Sequence, residues 1–383
     1  MAGFKLSENV PHTPFYHYDM NLLGQTIDVA ISHSKPAGYH LHYAVKANSD
    51  DEILKFIAAK GLGADCVSGW EVKAALENGF KPELIVFAGV GKSDDEINFA
   101  LDNNIFAFNC ESLQEIEVIN QLAKQKNKIA QIALRVNPNV HPDTHKYIST
   151  GQSESKFGIA YNEINAALEI ITSLQNIEMK GLHFHIGSQV MDMSFFEQLA
   201  LRAVEITKWF EEKGCRIDHL NMGGGLGVDY DKPMENPITN FESYFEQFKK
   251  HMPNDKTIHF ELGRSIMAQC GELVTRVLFT KETANGSNYA IVDAGMTELI
   301  RPALYGAHHK IMNLSAHIDA SKKLLYCIGG PICESSDVFA NDIEFPKTQR
   351  GNILTIKSAG AYGAVMSSNY NLRPRANAYF DFK

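Results

Sequence analysis

The chain has 383 residues, 44% of them hydrophobic and 21% charged, enough to bury a large core without a disulfide or metal staple. A formal charge of −9 with no Lys/Arg stripe argues against nucleic acid as a partner, because phosphate neutralisation needs a clustered basic face. No stretch approaches the roughly 18 apolar residues of a membrane helix, no apolar signal core opens the chain, and six scattered cysteines form no CxxC pair, so a cytoplasmic protein with reduced thiols and no metal site is expected.

Residues 21–265 alternate short apolar runs with amphipathic segments. The candidate strands are 40–46, 63–67, 84–88, 105–109, 130–136, 179–186, 217–222 and 257–261. Capping boxes at Ser68/Glu71, Ser93/Glu96, Ser194/Glu197 and Thr239/Glu242 predict the helix starts between them. Eight strands alternating with helices predict a parallel (β/α)8 TIM-like barrel, with an open doubly wound sheet as the alternative. After Arg264 the texture changes. Strand-like runs at 271–280, 289–294, 324–330 and 352–358, with Asn285-Gly286 as a hairpin turn, predict a mainly β domain over 266–383. Residues 1–20 are too short to stand alone and are expected to pack against it.

The ends of the barrel strands carry the candidate chemistry, since a barrel places its site at that rim. Lys46 closes the first strand. It is either a lysine snorkelling from a strand end or an amine placed to form a Schiff base with an aldehyde. His183 and His185 end the sixth strand on one face, followed by Ser188. An imidazole there is either a hydrogen-bonded core residue or a flat surface for a ring, and Ser188 could meet a phosphate. The run Gly223-Gly224-Gly225-Leu226-Gly227 follows the seventh strand, where barrels commonly bind phosphate, although a plain tight turn is the competing reading. Glu261, ending the eighth strand before Gly263 and Arg264, is costly to bury without a cation. Its partner is either Arg264 or a protonated pyridine nitrogen.

In the β region, Gly330-Pro331-Ile332-Cys333-Glu334-Ser335 puts a thiol and a carboxylate in a loop. Arg301 and Tyr305 in RPALY, and Tyr362 in GAYG, add a cation and two phenols.

Together AVKAN, HFHIGSQ, GGGLG, E-x-GR, IVDAGM, RPALY, GPICES and GAYG, in this order, resemble the fold-III (alanine-racemase-type) pyridoxal-phosphate-dependent decarboxylases. Within them the pattern is most similar to the diaminopimelate decarboxylases, as are FAGVGKSDDEI (87–97), ALRVNPNV (133–140) and ISTGQSESKFGI (148–159). The resemblance runs from residue 13 to residue 371.

The resemblance implies a role for each position. Lys46 would be the Schiff-base lysine for pyridoxal phosphate, and His185 would stack on the ring. Ser188, Gly224, Gly225, Gly263 and Arg264 would surround the phosphate, and Glu261 would meet the pyridine nitrogen. Tyr362 would help close the site over cofactor and substrate. Cys333 would donate a proton after carbon dioxide leaves. Arg301, Tyr305 and Glu334 would grip the far end of the amino-acid substrate, with Arg264 beside them. A homodimer is implied, the Cys333–Glu334 loop of each copy completing the other's site. Two positions depart from the family pattern: Leu262 stands where proline is usual, and Trp70 where a small residue is common.

The implied reaction is decarboxylation of meso-2,6-diaminopimelate to L-lysine. Polyamine-route decarboxylases acting on carboxynorspermidine, ornithine or arginine are the near alternative. A racemase of this fold would set arginine against the pyridine nitrogen, where Glu261 stands. A silent binding homologue would need neither Lys46 nor Cys333.

Overall fold

The computed structural model describes residues 4, 11–140, 156–282, 288–315 and 323–382. The expected turn at Asn285-Gly286 and residues 148–155 of the ISTGQSESKFGI segment lie outside these. The described chain divides into two compact units, one of residues 27–227 and 240–264, the other of residues 1–26, 228–239 and 265–383.

The first unit is a closed barrel of eight parallel strands. In order they are His40–Ala44, Gly63–Cys66, Ile85–Phe87, Ala107–Cys110, Ala130–Arg135, Ile177–His183, His219–Asn221 and Thr257–Leu262. The eighth closes on the first with Glu261 opposite His42. All eight expected segments form strands, because strands buried on both faces read as continuous apolar runs. The first ends earlier than expected: Val45–Ala47 is a turn of 3-10 helix, so Lys46 stands just beyond the strand.

Helix starts follow the capping chemistry in part. Ser93 and Glu96 make the full reciprocal box. Ser68 accepts the Glu71 N–H, but the Glu71 carboxylate turns to the Val67 N–H at 2.7 Å. Two expected starts move. Asn240, a better cap than Thr239, accepts the Ser243 N–H at 2.9 Å and starts Phe241–Lys249. Helix Ser194–Glu212 begins without a side-chain cap, the Ser194 N–H being taken by Asp192. These two helices pack through aromatic rings, with Phe196–Tyr244 centroids 4.7 Å apart, and Phe248 packs onto Phe260 of the eighth strand at 4.8 Å.

Alternation along the strands fills the barrel in layers. The lower layer holds His42, His219 and His259, with room supplied by glycine: a Cβ on Gly63 would stand 2.4 Å from His42 Nδ1, and one on Gly181 2.4 Å from His219. The Leu84 carbonyl can only accept, so His42 Nδ1 carries the proton that bonds it at 3.0 Å. His42 Nε2 then accepts from His259 Nδ1 at 2.8 Å, and His259 Nε2 is left as a buried acceptor with no partner among the described residues. Two residues up each strand the layer becomes polar: Asp65, Asn109, Arg135, His183, Asn221 and Glu261, all buried.

The second unit is built on an eight-stranded mixed sheet. Its long strand Gly271–Glu282 pairs with Asn288–Val292, Ile353–Ile356 and Phe15–Asp19. Phe15–Asp19 also runs parallel to Asn377–Asp381. Buried Glu272 ties these strands together, receiving Phe4 N–H, His17, Thr355 and Lys357.

Candidate active site at the carboxyl ends of the barrel strands

Lys46 Nζ lies 2.6 Å from Asp65 Oδ2. Asp65 lies one residue before the end of the second strand and its side chain is fully buried. Burial raises its pKa and outweighs the nearby Lys46 charge. Glu71, beside the same pair, is pushed up to about 7, mainly by burial.

Across the barrel mouth, Glu261 gathers three donors. Oε1 accepts from Asn109 Nδ2 at 2.9 Å and Asn221 Nδ2 at 2.6 Å, and Oε2 meets His183 Nε2 at 3.0 Å. Burial alone would raise this carboxyl, but the charge and hydrogen bond of His183, with Lys46 behind them, hold it well below the usual carboxylate range. The site therefore contains a fixed anion.

His185 is held neutral. Burial first, then the charges of Arg135 and Lys46, take its pKa well below the ordinary value. Its Nδ1 accepts the Gly224 N–H at 3.3 Å. Arg135 is anchored by Glu111 at 2.6 Å, and Glu111 also receives the N–H groups of Gly89 and Gly158.

The glycine run is demanded by packing as well as by any ligand. A Cβ on Gly224 would stand 2.0 Å from the Glu261 carbonyl, and Gly223 and Gly225 have φ of +66° and +102°. Beside it, Arg264 donates to Ser188 Oγ from Nη2 at 3.0 Å and Nε at 3.2 Å. Gly263 is buried in the bend between Leu262 and Arg264.

Likeness to known proteins covers nearly the whole chain. The profile of the family described as "Pyridoxal-dependent decarboxylase, pyridoxal binding domain" matches residues 29–268. Diaminopimelate decarboxylase of Bacteroides thetaiotaomicron is 45% identical over 370 residues, 96% of this chain and 95% of that protein. The crystal structure of diaminopimelate decarboxylase from Helicobacter pylori complexed with L-lysine matches with a TM-score of 0.89 and 38% identity, covering 96% of this chain and 91% of that one. The corresponding enzyme of M. jannaschii in co-complex with L-lysine gives 0.89 and 34%, covering 96% and 87%. The chain belongs to the diaminopimelate decarboxylase family.

Its cofactor is pyridoxal phosphate, and the rim fits that group. Glu261 has three donors and capacity for a fourth, which a pyridinium N–H would use. Three further buried atoms of this decarboxylase rim, Asp65 Oδ1, Asn109 Oδ1 and His183 Nδ1, have no partner among the described residues. A polar ring would answer such atoms better than an apolar ligand. Arg264 and Ser188 form a donor pair suited to phosphate.

The sequence reading missed Asp65, Asn109 and Asn221. Each is a lone polar residue in a buried strand, where an unpartnered carboxylate or amide is costly, and that cost was the available signal.

The remaining candidates sit in the second unit. Arg301 starts the short helix Arg301–Tyr305 and is buried. Its Nη1 donates to Tyr230 OH at 2.8 Å and meets His309 Nε2 at 3.1 Å, and the guanidinium lies 5.1 Å from the Tyr230 ring. Tyr305 is half-buried on the same helix. Cys333 and Glu334 are exposed in their loop, with Glu334 Oε1 receiving Tyr370 OH at 2.9 Å. Tyr362 holds a left-handed backbone, φ +56°, costly for a bulky side chain. Of the two departures, Leu262 is buried at the end of its strand, whereas Trp70 is 76% exposed with Lys73 Nζ 5.6 Å from its ring.

Proposed function

We propose that this chain removes one carboxylate from meso-2,6-diaminopimelate to give L-lysine and carbon dioxide, the last step of lysine synthesis. The observation that carries the reading is 45% identity to a diaminopimelate decarboxylase along 96% of the chain.

When bound, pyridoxal phosphate supplies an aldehyde for the substrate amine and a ring that draws electrons from the α-carbon. Lys46 is the amine that holds it between turnovers, and Asp65 fixes where that amine stands. Glu261, kept anionic by His183, holds a proton on the facing ring nitrogen. His185 offers a neutral, flat side chain to the ring. Ser188, Gly224, Gly225, Gly263 and Arg264 hold the phosphate, and Tyr362 helps exclude water. Cys333 Sγ gives the proton that replaces the departed carboxylate.

The far end of the substrate carries an ammonium and a carboxylate. Arg301 and Tyr305 would take the carboxylate and Glu334 the ammonium, with Arg264 serving both phosphate and substrate. The barrel unit, residues 27–227 and 240–264 and so interrupted where an unbroken 21–265 is expected from sequence, serves as the cofactor domain, and the second unit supplies Arg301, Tyr305 and Glu334. Two copies pair so that the Cys333–Glu334 loop of each serves the other. A cytoplasmic location accords with six free cysteines.

The test is stoichiometry. Purified protein with pyridoxal phosphate and meso-diaminopimelate should release carbon dioxide and L-lysine in equal amounts. Absence of both products would overturn the proposal.

A further inference from the structure

The loop that carries Cys333 is gripped by two side chains, Asp337 and Asn371, to which the sequence reading assigned no role. Asp337 is 4% exposed. Its Oδ2 accepts the Ile332 N–H at 2.7 Å, and its Oδ1 accepts the Met296 N–H at 2.6 Å. Its backbone closes the same loop: Gly330 N–H donates to Asp337 O at 2.9 Å, and Asp337 N–H to Glu334 O at 3.1 Å. Glycine makes room for this carboxylate. A Cβ on Gly330 would stand 2.3 Å from Asp337 Oδ2, and one on Gly295 3.0 Å from it. So residue 330 cannot gain a side chain unless Asp337 moves.

The next N–H along the loop, that of Cys333, is taken from the other side. It donates to Asn371 Oδ1 at 3.1 Å. Asn371 has φ +55°, a conformation that asparagine tolerates better than most residues. Its neighbour Tyr370 holds Glu334. Consecutive amides at 332 and 333 are thus fixed by side chains from two separate segments, leaving the Cys333 backbone little freedom to turn.

We infer that Asp337 and Asn371 are positioning residues for Cys333, fixing the two amides that determine where Sγ stands when it donates its proton. The inference rests on Cys333 being that donor. Its mechanism is geometric, since proton transfer needs the donor within hydrogen-bond reach of the accepting carbon. A displacement near 1 Å costs about a hundredfold in rate.

Three variants of the holoenzyme test it. Asn371→Gly removes the acceptor yet accepts the left-handed backbone, and Asn371→Asp retains an acceptor oxygen. Asp337→Asn puts an amide N–H₂ where one accepting oxygen stood. Asn371→Gly and Asp337→Asn should lower kcat by about tenfold to a hundredfold, with cofactor absorbance unchanged and Asn371→Asp restoring most of the loss. Because both residues act through Cys333, neither change should lower kcat further in a Cys333→Ala background. A loss that persists undiminished in that background, or unchanged kcat in both single variants, overturns the inference. A second readout needs no turnover: iodoacetamide alkylation of Cys333, followed by peptide mapping, should proceed at an altered rate in Asn371→Gly and return toward the native rate in Asn371→Asp. An unchanged rate in both Asn371→Gly and Asp337→Asn also overturns it. Asn371 is exposed, so its variants carry the test if Asp337→Asn fails to fold. Near-normal turnover in Cys333→Ala would instead refute the proton-donor assignment, and alkylation would still decide whether these residues set the thiol's place.

Discussion

The Lys46 ammonium and the Asp65 carboxylate meet at 2.6 Å, joining the turn after the first barrel strand to the penultimate residue of the second. Asp65 therefore orients the amine on which the cofactor assignment depends. A single amine so placed makes a sharp prediction. Holoenzyme should be yellow, and borohydride should fix the cofactor on the peptide bearing Lys46. Lys46→Ala should be colourless, and label on another lysine would remove Lys46 from its role.

Cys333 stands in an exposed loop of the second unit. Cys333→Ala should retain cofactor absorbance and lose turnover by about 10²–10⁴-fold, the range for a missing general acid. Near-normal turnover would return Cys333 to loop packing.

Sharing of sites between two copies is tested by complementation. Inactive Lys46→Ala and Cys333→Ala proteins are mixed and allowed to exchange subunits. A hybrid dimer then has one site with both lesions and one with neither, so about a quarter of all sites should recover by two-fold counting. No recovery despite demonstrated exchange would place both residues in one copy's site.

Much of this arrangement is legible in the amino-acid sequence. The barrel strands are apolar runs whose length and spacing identify them, and Lys46, His185, Ser188, Glu261 and Arg264 all fall at or just beyond strand ends. Partnership across long separations is not legible there. Asn109 and Glu261 lie 152 residues apart, and only closure of the barrel brings them within 2.9 Å. The helix starts expected at Ser194 and Thr239 moved for local reasons: Asp192 takes the Ser194 N–H that Glu197 would receive in a capping box, and Asn240, one residue past Thr239, caps its helix through the Ser243 N–H. The glycine run, which reads as a phosphate loop, is also a packing device, because the Glu261 carbonyl fills the space a Gly224 side chain would need.

The histidine layer at the barrel base predicts acid sensitivity. Burial lowers His42 and His219 to about 4, below the unfolded value near 6.5. Between those values the unfolded chain binds more protons than the folded one, so stability is present above pH 6.5 and is lost as pH falls toward 4. Glu71, raised to about 7, acts in the opposite direction over part of this window. A difference measurement removes that contribution. His219→Phe keeps an aromatic ring against Phe106, whose centroid lies 5.0 Å from that of His219. Denaturant unfolding from pH 7 to 4 should show a smaller loss for the variant, by up to about 3 kcal/mol. Equal losses would show that His219 does not titrate with unfolding.

The central claim is the substrate, and it is tested most directly by comparing kcat/KM for meso-diaminopimelate, ornithine, arginine and carboxynorspermidine. In the proposed site Arg301, buried and tied to Tyr230 and His309, also takes the distal carboxylate, a contact that ornithine and arginine cannot make because they lack that group. Such mismatches allow discrimination of about 10⁴-fold. Diaminopimelate should dominate in the native protein, and Arg301→Ala should erase most of that preference. A higher kcat/KM for ornithine, arginine or carboxynorspermidine would contradict the substrate assigned here.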